Sequence, residues 1–199
     1  MDDRLEILLD KIRKLENEFR LEIQKKEQEF YYHIKRKRVR FEQEVKARHK
    51  LLMQRIPPYL LHARPMAIVT APVIWLCLLP VILMDVILTL YQAVCFRVYN
   101  IPKVRRSDYV VLDRQYLSYL NWIEKLNCIY CGYFNGVIGY ATEIGARTEQ
   151  HWCPIKHARR IGSIHSRYKY FMDYGDAERY QKEMETVRRD FADLQKNRT

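Results

Sequence analysis

The sequence has 199 residues, of which 35 are lysine or arginine and 24 are aspartate or glutamate, so the formal net charge is +11. Six glycines and seven prolines exclude a collagen-like or low-complexity chain, and five cysteines are too few for a disulfide-rich scaffold. This length allows one or two small domains.

Residues 1–56 are predicted to form one long helix, because residues 3–56 contain neither glycine nor proline and helix formers dominate them. Apolar residues recur every eleven positions in two columns, a period of about 3.67 residues per turn that predicts a nearly straight assembly of helices. We expect this N-terminal arm to pack on other copies of the chain in a homo-oligomer; the alternative is that it packs on the chain's own C-terminal helix. The columns are Leu8, Phe19, Phe30, Phe41 and Leu52, and Ile12, Ile23, Ile34, Val45 and Ile56.

The run from Lys35 to Arg40 is the densest basic stretch of the sequence. Basic runs bind anionic lipid or nucleic acid in many proteins, but acidic residues flank this run and its charges spread round the predicted helix. A solvated helix face is therefore the favoured interpretation, with a lipid surface as the alternative. Nucleic acid is the least favoured partner, because no nucleic-acid-binding signature accompanies the run.

An apolar segment at residues 65–97 follows a proline-containing linker at residues 57–64. Its first twenty residues, 65–84, carry no charge and have the length of a membrane-embedded helix, which indicates membrane lipid as a partner. Pro72 and Pro80 argue against one straight span, and Asp85 is expected to cap a turn, face a helix partner or snorkel to the interface. Three arrangements remain open: a hairpin within one leaflet, which we favour, a single kinked span, and a helix pair buried in protein.

Positive charges flank the apolar segment equally. From position 48 onward four basic residues and no acidic residue precede it, and four basic residues stand at its C-terminal end before Asp108; they are Arg48, Lys50, Arg55 and Arg64, and Arg97, Lys103, Arg105 and Arg106. Positive flanks favour the cytoplasmic side of a membrane, and equal flanks are what a hairpin with both ends in the cytoplasm produces. The sequence therefore predicts a membrane protein with both termini and the metal-binding domain on the cytoplasmic side.

Residues 98–173 are predicted to be a small helical domain with the ligand spacing of a metal site. The spacing is Cys-x2-Cys, twenty-one residues, then Cys-x3-His, which fits a tetrahedral site with its first pair on a tight turn. The glycine after the second cysteine would permit a positive dihedral there. We expect a structural zinc, with iron as the alternative; buried structural thiols and a functional redox site are the other interpretations. The predicted ligands are Cys128, Cys131, Cys153 and His157.

The string C-I-Y-C-G-Y at residues 128–133 resembles the metal-binding knuckle of rubredoxins and zinc ribbons, and the Cys-Pro pair at 153–154 resembles the second rubredoxin knuckle. This resemblance implies a metal-binding turn but no fold, since those folds are mostly β. The longer block YCGYFNGVIGYATEIGARTEQHWCPIKHA resembles a family of uncharacterised bacterial membrane proteins, which implies no activity.

The predicted fold class is all-α, and residues 174–199 complete it as an amphipathic helix with Asp176 as its N-cap. The sequence contains no recognisable Ser/His/Asp constellation, glycine-rich phosphate loop or paired-carboxylate motif, so no catalytic residue is assigned. We therefore expect a membrane-anchored, self-associating scaffold that is not an enzyme. The alternatives are a membrane-bound protein of electron transfer or thiol/metal chemistry, and an accessory subunit of a larger membrane complex.

Overall fold

A computed structural model describes residues 43–62 and 64–196 and, before them, positions 11, 14–15, 17–19, 21–26, 29, 32–35 and 38–41. The fold is all-α, as predicted, apart from one short β-hairpin. The chain divides into two compact units, which are residues 1–62 with 113–126, and residues 63–112 with 127–199.

The amino-terminal arm in the first unit is not one helix. Its described positions between 11 and 29 are helical, but strands β1 (Tyr32–Lys35) and β2 (Arg38–Phe41) follow and pair antiparallel. The chain returns to helix in α1 (Gln43–Leu51) and α2 (Ile56–His62). The prediction of a continuous helix over residues 1–56 is therefore wrong.

The interruption lies where the sequence changes from helix formers to residues that favour strands. Tyr32, Ile34 and Val39 are aromatic or β-branched. Four successive basic residues, Lys35 to Arg38, would in addition bring like charges together at helical spacing. The solvated helix face expected for this basic run is therefore replaced in part by strand.

The two eleven-residue columns consequently do not form one continuous stripe. Their described members fall in helical residues, in the hairpin and in two separate helices, so no single apolar face follows the arm. Phe19 and Ile23 are helical, Ile34 and Phe41 lie in strands, Val45 lies in α1, Leu52 follows α1 and Ile56 begins α2, whereas Leu8, Ile12 and Phe30 lie outside the described residues.

The second unit is built on α3 (Pro65–Leu76) and α4 (Leu78–Val98), which together make one 34-residue helix. Pro80 has no N–H to donate to the carbonyl of Leu76, and the helix is irregular near this point, at Cys77. Cys77 itself keeps helical dihedral angles, with φ at −61° and ψ at −15°. The chain does not reverse within this segment, so the favoured hairpin is not formed. At about 1.5 Å per residue the helix is about 51 Å long.

This helix is long and apolar enough to cross a membrane. Only 11% of its most apolar eighteen-residue window is buried by the rest of the protein, which does not support a helix pair buried in protein. Membrane association is therefore supported, and the sidedness of the two ends stays a prediction.

Beyond α4 the chain runs back along that helix and then forms α5 (Trp122–Trp152), α6 (Ala177–Val187) and α7 (Ala192–Lys196). The single C-terminal helix predicted for residues 174–199 is thus two helices. Asp176 caps α6 as predicted, because its carboxylate accepts a hydrogen bond of 3.0 Å from the backbone N–H of Arg179. The core of the unit consists of Phe96, Ile101, Val104, Tyr140, Ile144 and Phe191.

Candidate functional site along the apolar helix

The structure does not bring the four predicted metal ligands together. Cys128 and Cys131 lie within α5, and Cys153 directly follows its last residue. The helical rise puts Cys153 about 33 to 38 Å from the other two cysteines. His157 lies in the loop beyond, where its ring stacks on Tyr168 at 6.4 Å. In the described part of the chain, no three His, Cys, Asp or Glu side chains are placed to hold one ion.

The tight turn predicted at residues 128–131 is also absent, because α5 runs through it without a break. Two cysteines three positions apart are neighbours on a helix surface, so the Cys-x2-Cys spacing is met by a helix as well as by a metal knuckle. Zinc, with iron as its alternative, stays a prediction, but this arrangement of α5 offers the ion no shared site.

The glycines of the Cys-Gly block serve close packing rather than a turn. The one described glycine with a positive φ is Gly175, at 88°. A Cβ on Gly132 would lie 3.2 Å from Leu112 Cδ2, and a Cβ on Gly136 would lie 2.8 Å from both the carbonyl oxygen of Tyr109 and the Cα of Val110. Residues 109–112 therefore cross a glycine face of α5 at a distance that a side chain would prevent.

Asp85, which interrupts the apolar segment, meets Tyr133 of α5, so it faces a helix partner, one of the three outcomes expected for it, and it also pairs with Arg106. Arg106 donates to both carboxylate oxygens, from Nε at 3.0 and 3.1 Å and from Nη2 at 2.7 Å. The Tyr133 hydroxyl donates to Oδ2 at 2.9 Å. The side chain of Asp85 is 10% exposed and that of Arg106 is 44% exposed. The guanidinium thus neutralises the buried carboxylate while one of its sides stays open to the surroundings.

A second polar contact, at Gln92, lies two turns further along α4. The buried Gln92 amide accepts a hydrogen bond from the N–H of Val104 at 3.0 Å and donates to the carbonyl of Val104 at 3.3 Å and to the Tyr140 hydroxyl. Ile101 N–H donates to the carbonyl of Phe96 at 2.8 Å. Residues 101–106 are therefore fixed against α4 as a strap that runs from Phe96 back to Asp85.

A third cluster connects α5 with the strap and with the loop after α5. Arg147 donates to Glu143 at 2.8 Å and to the carbonyl of Pro102 at 2.7 Å, and Ser166 donates to the other carboxylate oxygen of Glu143 at 2.6 Å. Both charged side chains are about nine-tenths buried. Each hydrogen bond satisfies a group that would otherwise be costly to bury.

A fourth cluster surrounds Arg167, whose side chain is 2% exposed. It donates to Asp193 at 2.6 Å and to the carbonyl of Asp190 at 2.9 Å, and it lies over the Tyr170 ring at 4.3 Å. Burial by itself raises the pKa of Asp193, but the hydrogen bonds from Arg167 and Tyr170 outweigh burial and lower that pKa below its usual range.

We call these four contacts the polar seam: Asp85–Arg106–Tyr133, Gln92–Val104–Tyr140, Glu143–Arg147–Ser166 and Arg167–Asp193 with Asp190. Sequence reasoning missed most of it, because its partners are mostly far apart in the chain. The seam holds helices and loops in place and, in the part of the chain that is described, its polar groups are engaged with one another.

Comparison with protein-family models, curated proteins and solved structures found no match to this chain. The resemblance of the Cys-Gly block to bacterial membrane proteins and to metal knuckles therefore stays a prediction. The apolar helix and the polar seam are the features from which a function can be inferred.

Proposed function

We propose that this chain is a membrane-anchored, self-associating structural protein that holds a rigid helical domain at a lipid surface. One observation carries the proposal. A single helix, Pro65–Val98, begins as an exposed apolar rod and continues without a linker into the core of the second unit. None of the residues of α3 is buried, whereas α4 contributes Val81, Asp85, Gln92 and Phe96 to the interior.

Lipid is the partner that the first part of this helix fits. Val69, Val73 and Leu79 are 69%, 65% and 63% exposed, and each such side chain left in water forfeits about 1.5 to 3 kcal/mol. Twenty uncharged helical residues are about 30 Å long, which matches the hydrocarbon core of a bilayer. Acyl chains around residues 65–84 would remove this cost.

The attachment of the domain to the helix favours a scaffold. The strap at residues 101–106 is bonded to Phe96, Gln92 and Asp85, which lie at three levels along α4, so the domain has little freedom to move about its anchor. An attachment of this kind would fix the orientation of the domain and its distance from the membrane surface. Electron transfer or thiol/metal chemistry is less well supported, because its cysteines lie at opposite ends of α5.

A second copy of the chain is the partner proposed for the outer face of α4. Leu90, Val94 and Val98 form a ridge with four-residue spacing and are 62%, 63% and 69% exposed. Ridges of this spacing pack into the grooves of neighbouring helices. The ridge lies beyond Asp85, past the twenty uncharged residues, so lipid need not cover it. We therefore propose a homo-oligomer to which this ridge contributes.

Membrane fractionation with two matched substitutions tests the anchoring. Val73 and Ile164 are 65% and 67% exposed, but only Val73 lies in the apolar helix. We expect wild type and Ile164→Arg to resist extraction by alkaline carbonate and to need detergent, whereas Val73→Arg shifts most of the protein to the soluble or degraded fraction, because an arginine at the centre of a membrane helix costs about 3 kcal/mol. Release of the wild type by carbonate would contradict the proposal.

A further inference from the structure

Two segments outside the apolar helix are uncharged, as residues 65–84 of that helix are. Residues 109–112 read Tyr-Val-Val-Leu between Asp108 and Asp113, and residues 126–142 of α5 contain no charged residue between Lys125 and Glu143. In the second unit these stretches touch each other, since residues 109–112 cross the glycine face of α5 at Gly132 and Gly136.

The α5 stretch also lies against the apolar helix. The Tyr130 hydroxyl donates to the carbonyl oxygen of Ile74 at 2.8 Å, and its ring lies 5.1 Å from the ring of Trp75. The same carbonyl also accepts a hydrogen bond of 3.2 Å from the backbone N–H of Cys77. Ile74 is the tenth of the twenty uncharged residues, so this contact lies near the middle of the apolar run.

Two tyrosines fix the position of α5 along the axis of the apolar helix. Tyr130 bonds to Ile74 and Tyr133, three positions later, bonds to Asp85. These two acceptors are eleven residues apart on the apolar helix, about 16 Å along its axis. The turn of α5 that carries the tyrosines therefore lies between them, on the apolar side of the Asp85–Arg106 pair. Further along both helices the contacts continue in the same order, since Tyr140 meets Gln92 and Trp152 meets Tyr99. The two helices therefore run in the same direction.

The exposed side chains of residues 109–112 and 127–134 are uncharged. Val111 is 51% exposed, Leu112 is 37% exposed and Cys131 is exposed on α5. Asn135 is the polar side chain one turn beyond Cys131, and its amide donates to the Cys131 carbonyl at 2.9 Å, so part of its hydrogen bonding is satisfied within the helix. Residues 109–112 and 127–134 themselves contain no cation or carboxylate that would have to be desolvated in lipid; the charged residues that border them in the sequence are Asp108, Asp113 and Lys125.

We infer that residues 109–112 and 127–134 lie in the apolar part of the bilayer beside the helix, where acyl chains cover Val111, Leu112 and Cys131. The membrane-embedded part then consists of three packed segments, with the Asp85–Arg106 pair at the boundary. The non-helical residues 109–112 are tolerated there because they pack on protein through the glycine face of α5. This inference rests on the anchoring proposed above.

The native cysteines test the inference without any substitution. Cys77 lies in the apolar helix, Cys131 in the α5 stretch and Cys153 beyond the end of α5, and all three are exposed in the structure. Membranes opened so that both faces are accessible are treated with a polar maleimide. The protein is then denatured, its remaining thiols are capped with an isotopically different maleimide, and the labelled fraction of each cysteine is measured by mass spectrometry.

We expect Cys153 to react at least tenfold faster than Cys77 and Cys131. Protection of Cys77 with fast labelling of Cys131 would overturn the inference and leave the anchor intact. Fast labelling of both would overturn the anchor as well. Slow labelling of all three thiols would show that Cys153 is also protected. It would contradict a membrane boundary at the Asp85–Arg106 pair.

A photoreactive lipid in the same membranes separates cover by lipid from cover by another protein chain. We expect a diazirine on the acyl chain to crosslink to peptides from residues 65–84 and from residues 127–134, but not to residues 153–173. A protected Cys131 without any crosslink in residues 127–134 would show that protein, rather than lipid, covers this surface and would overturn the inference.

Discussion

At the scale of single residues, the two side chains of the Asp85–Arg106 pair differ in how far they are buried. The carboxylate is held against the apolar helix, while the side chain of Arg106 is 44% exposed. Removing the arginine leaves an unpaired charge in an apolar place, whereas removing the carboxylate leaves a guanidinium that can turn outward. The two single substitutions should therefore differ, although both break the same ion pair.

We expect Arg106→Gln to lower the free energy of unfolding by about 3 kcal/mol and Asp85→Asn by about 1 kcal/mol. The double variant should be more stable than Arg106→Gln alone. Denaturant unfolding of the detergent-solubilised protein measures these values, with Arg105→Gln, at the exposed neighbouring position, as the control. Equal losses for the two single variants would contradict this account of the pair.

Two glycines of α5 provide a matched comparison of close packing with helix propensity. A Cβ at Gly136 would lie 2.8 Å from backbone atoms of residues 109 and 110, whereas a Cβ at Gly145 would have nothing within 4 Å. We expect Gly136→Ala to destabilise the protein by about 1 to 3 kcal/mol and Gly145→Ala to stabilise it by about 0.5 to 1 kcal/mol. Thermal unfolding of both variants checks the difference in sign.

The His151 ring gives a prediction about pH. Burial first, and then the charge of Arg188, lowers the pKa of His151 below its ordinary value of 6.5, and its buried Nδ1 has no hydrogen-bond partner among the described residues. The unfolded chain therefore takes up a proton at a higher pH than the folded chain does. Stability is retained above about pH 6.5 and falls as the pH drops from there through the folded pKa.

We expect His151→Phe to reduce the loss of stability between about pH 7 and pH 5, because the unfolded chain no longer takes up a proton at this position. His157→Phe is the control, since His157 lies on an exposed loop. Unfolding midpoints measured across this range provide the test. An unchanged pH dependence in His151→Phe would show that other groups account for it.

At the scale of elements, the exposed ridge of α4 and the amino-terminal arm are competing contact surfaces for a second copy. We expect Leu90→Glu with Val94→Glu to lower the mass of the detergent-solubilised protein to that of smaller species, because the two charges would have to be buried at the helix contact. Lys182→Glu, at an exposed position of α6, is the control. Light scattering measures the mass.

The original hypothesis placed that contact in the arm, and Phe30→Asp with Ile34→Asp tests it in the same measurement. A loss of mass in this variant alone would contradict a contact through α4. A loss in both would show that the two surfaces are used together. The arm remains a candidate because part of its apolar residues lie outside the described range, although its described part does not form one stripe.

The elements differ in how well sequence patterns predicted them. The apolar segment and the cap at Asp176 depend on neighbouring residues, and both were predicted. The break of the arm at residues 32–41 was not, because a long region without glycine or proline favours a helix even where aromatic, β-branched and like-charged residues favour strands. Contacts between paired strands stabilise a hairpin, and the helical periodicity of a sequence carries no information about these contacts.

At the scale of the whole molecule, the apolar helix connects an exposed apolar length to the core of the second unit. Both lengths belong to one helix of 34 residues, and the polar seam holds the strap and α5 against it. On the function proposed above, the domain would be attached to its membrane anchor without a linker. Such a direct attachment would suit a scaffold at a membrane.

Composition and local spacing alone determined the all-α class, the long apolar segment, the basic character and the N-cap of α6, because each depends on residues close together in the chain. Only the tertiary structure decided the partner of Asp85, the use of the glycines and the separation of the cysteines. Asp85 meets Arg106 and Tyr133 from 21 and 48 positions away. Cys-x2-Cys and the glycines after it suit a knuckle or a helix equally, and the packing of residues 109–112 on α5 selects the helix.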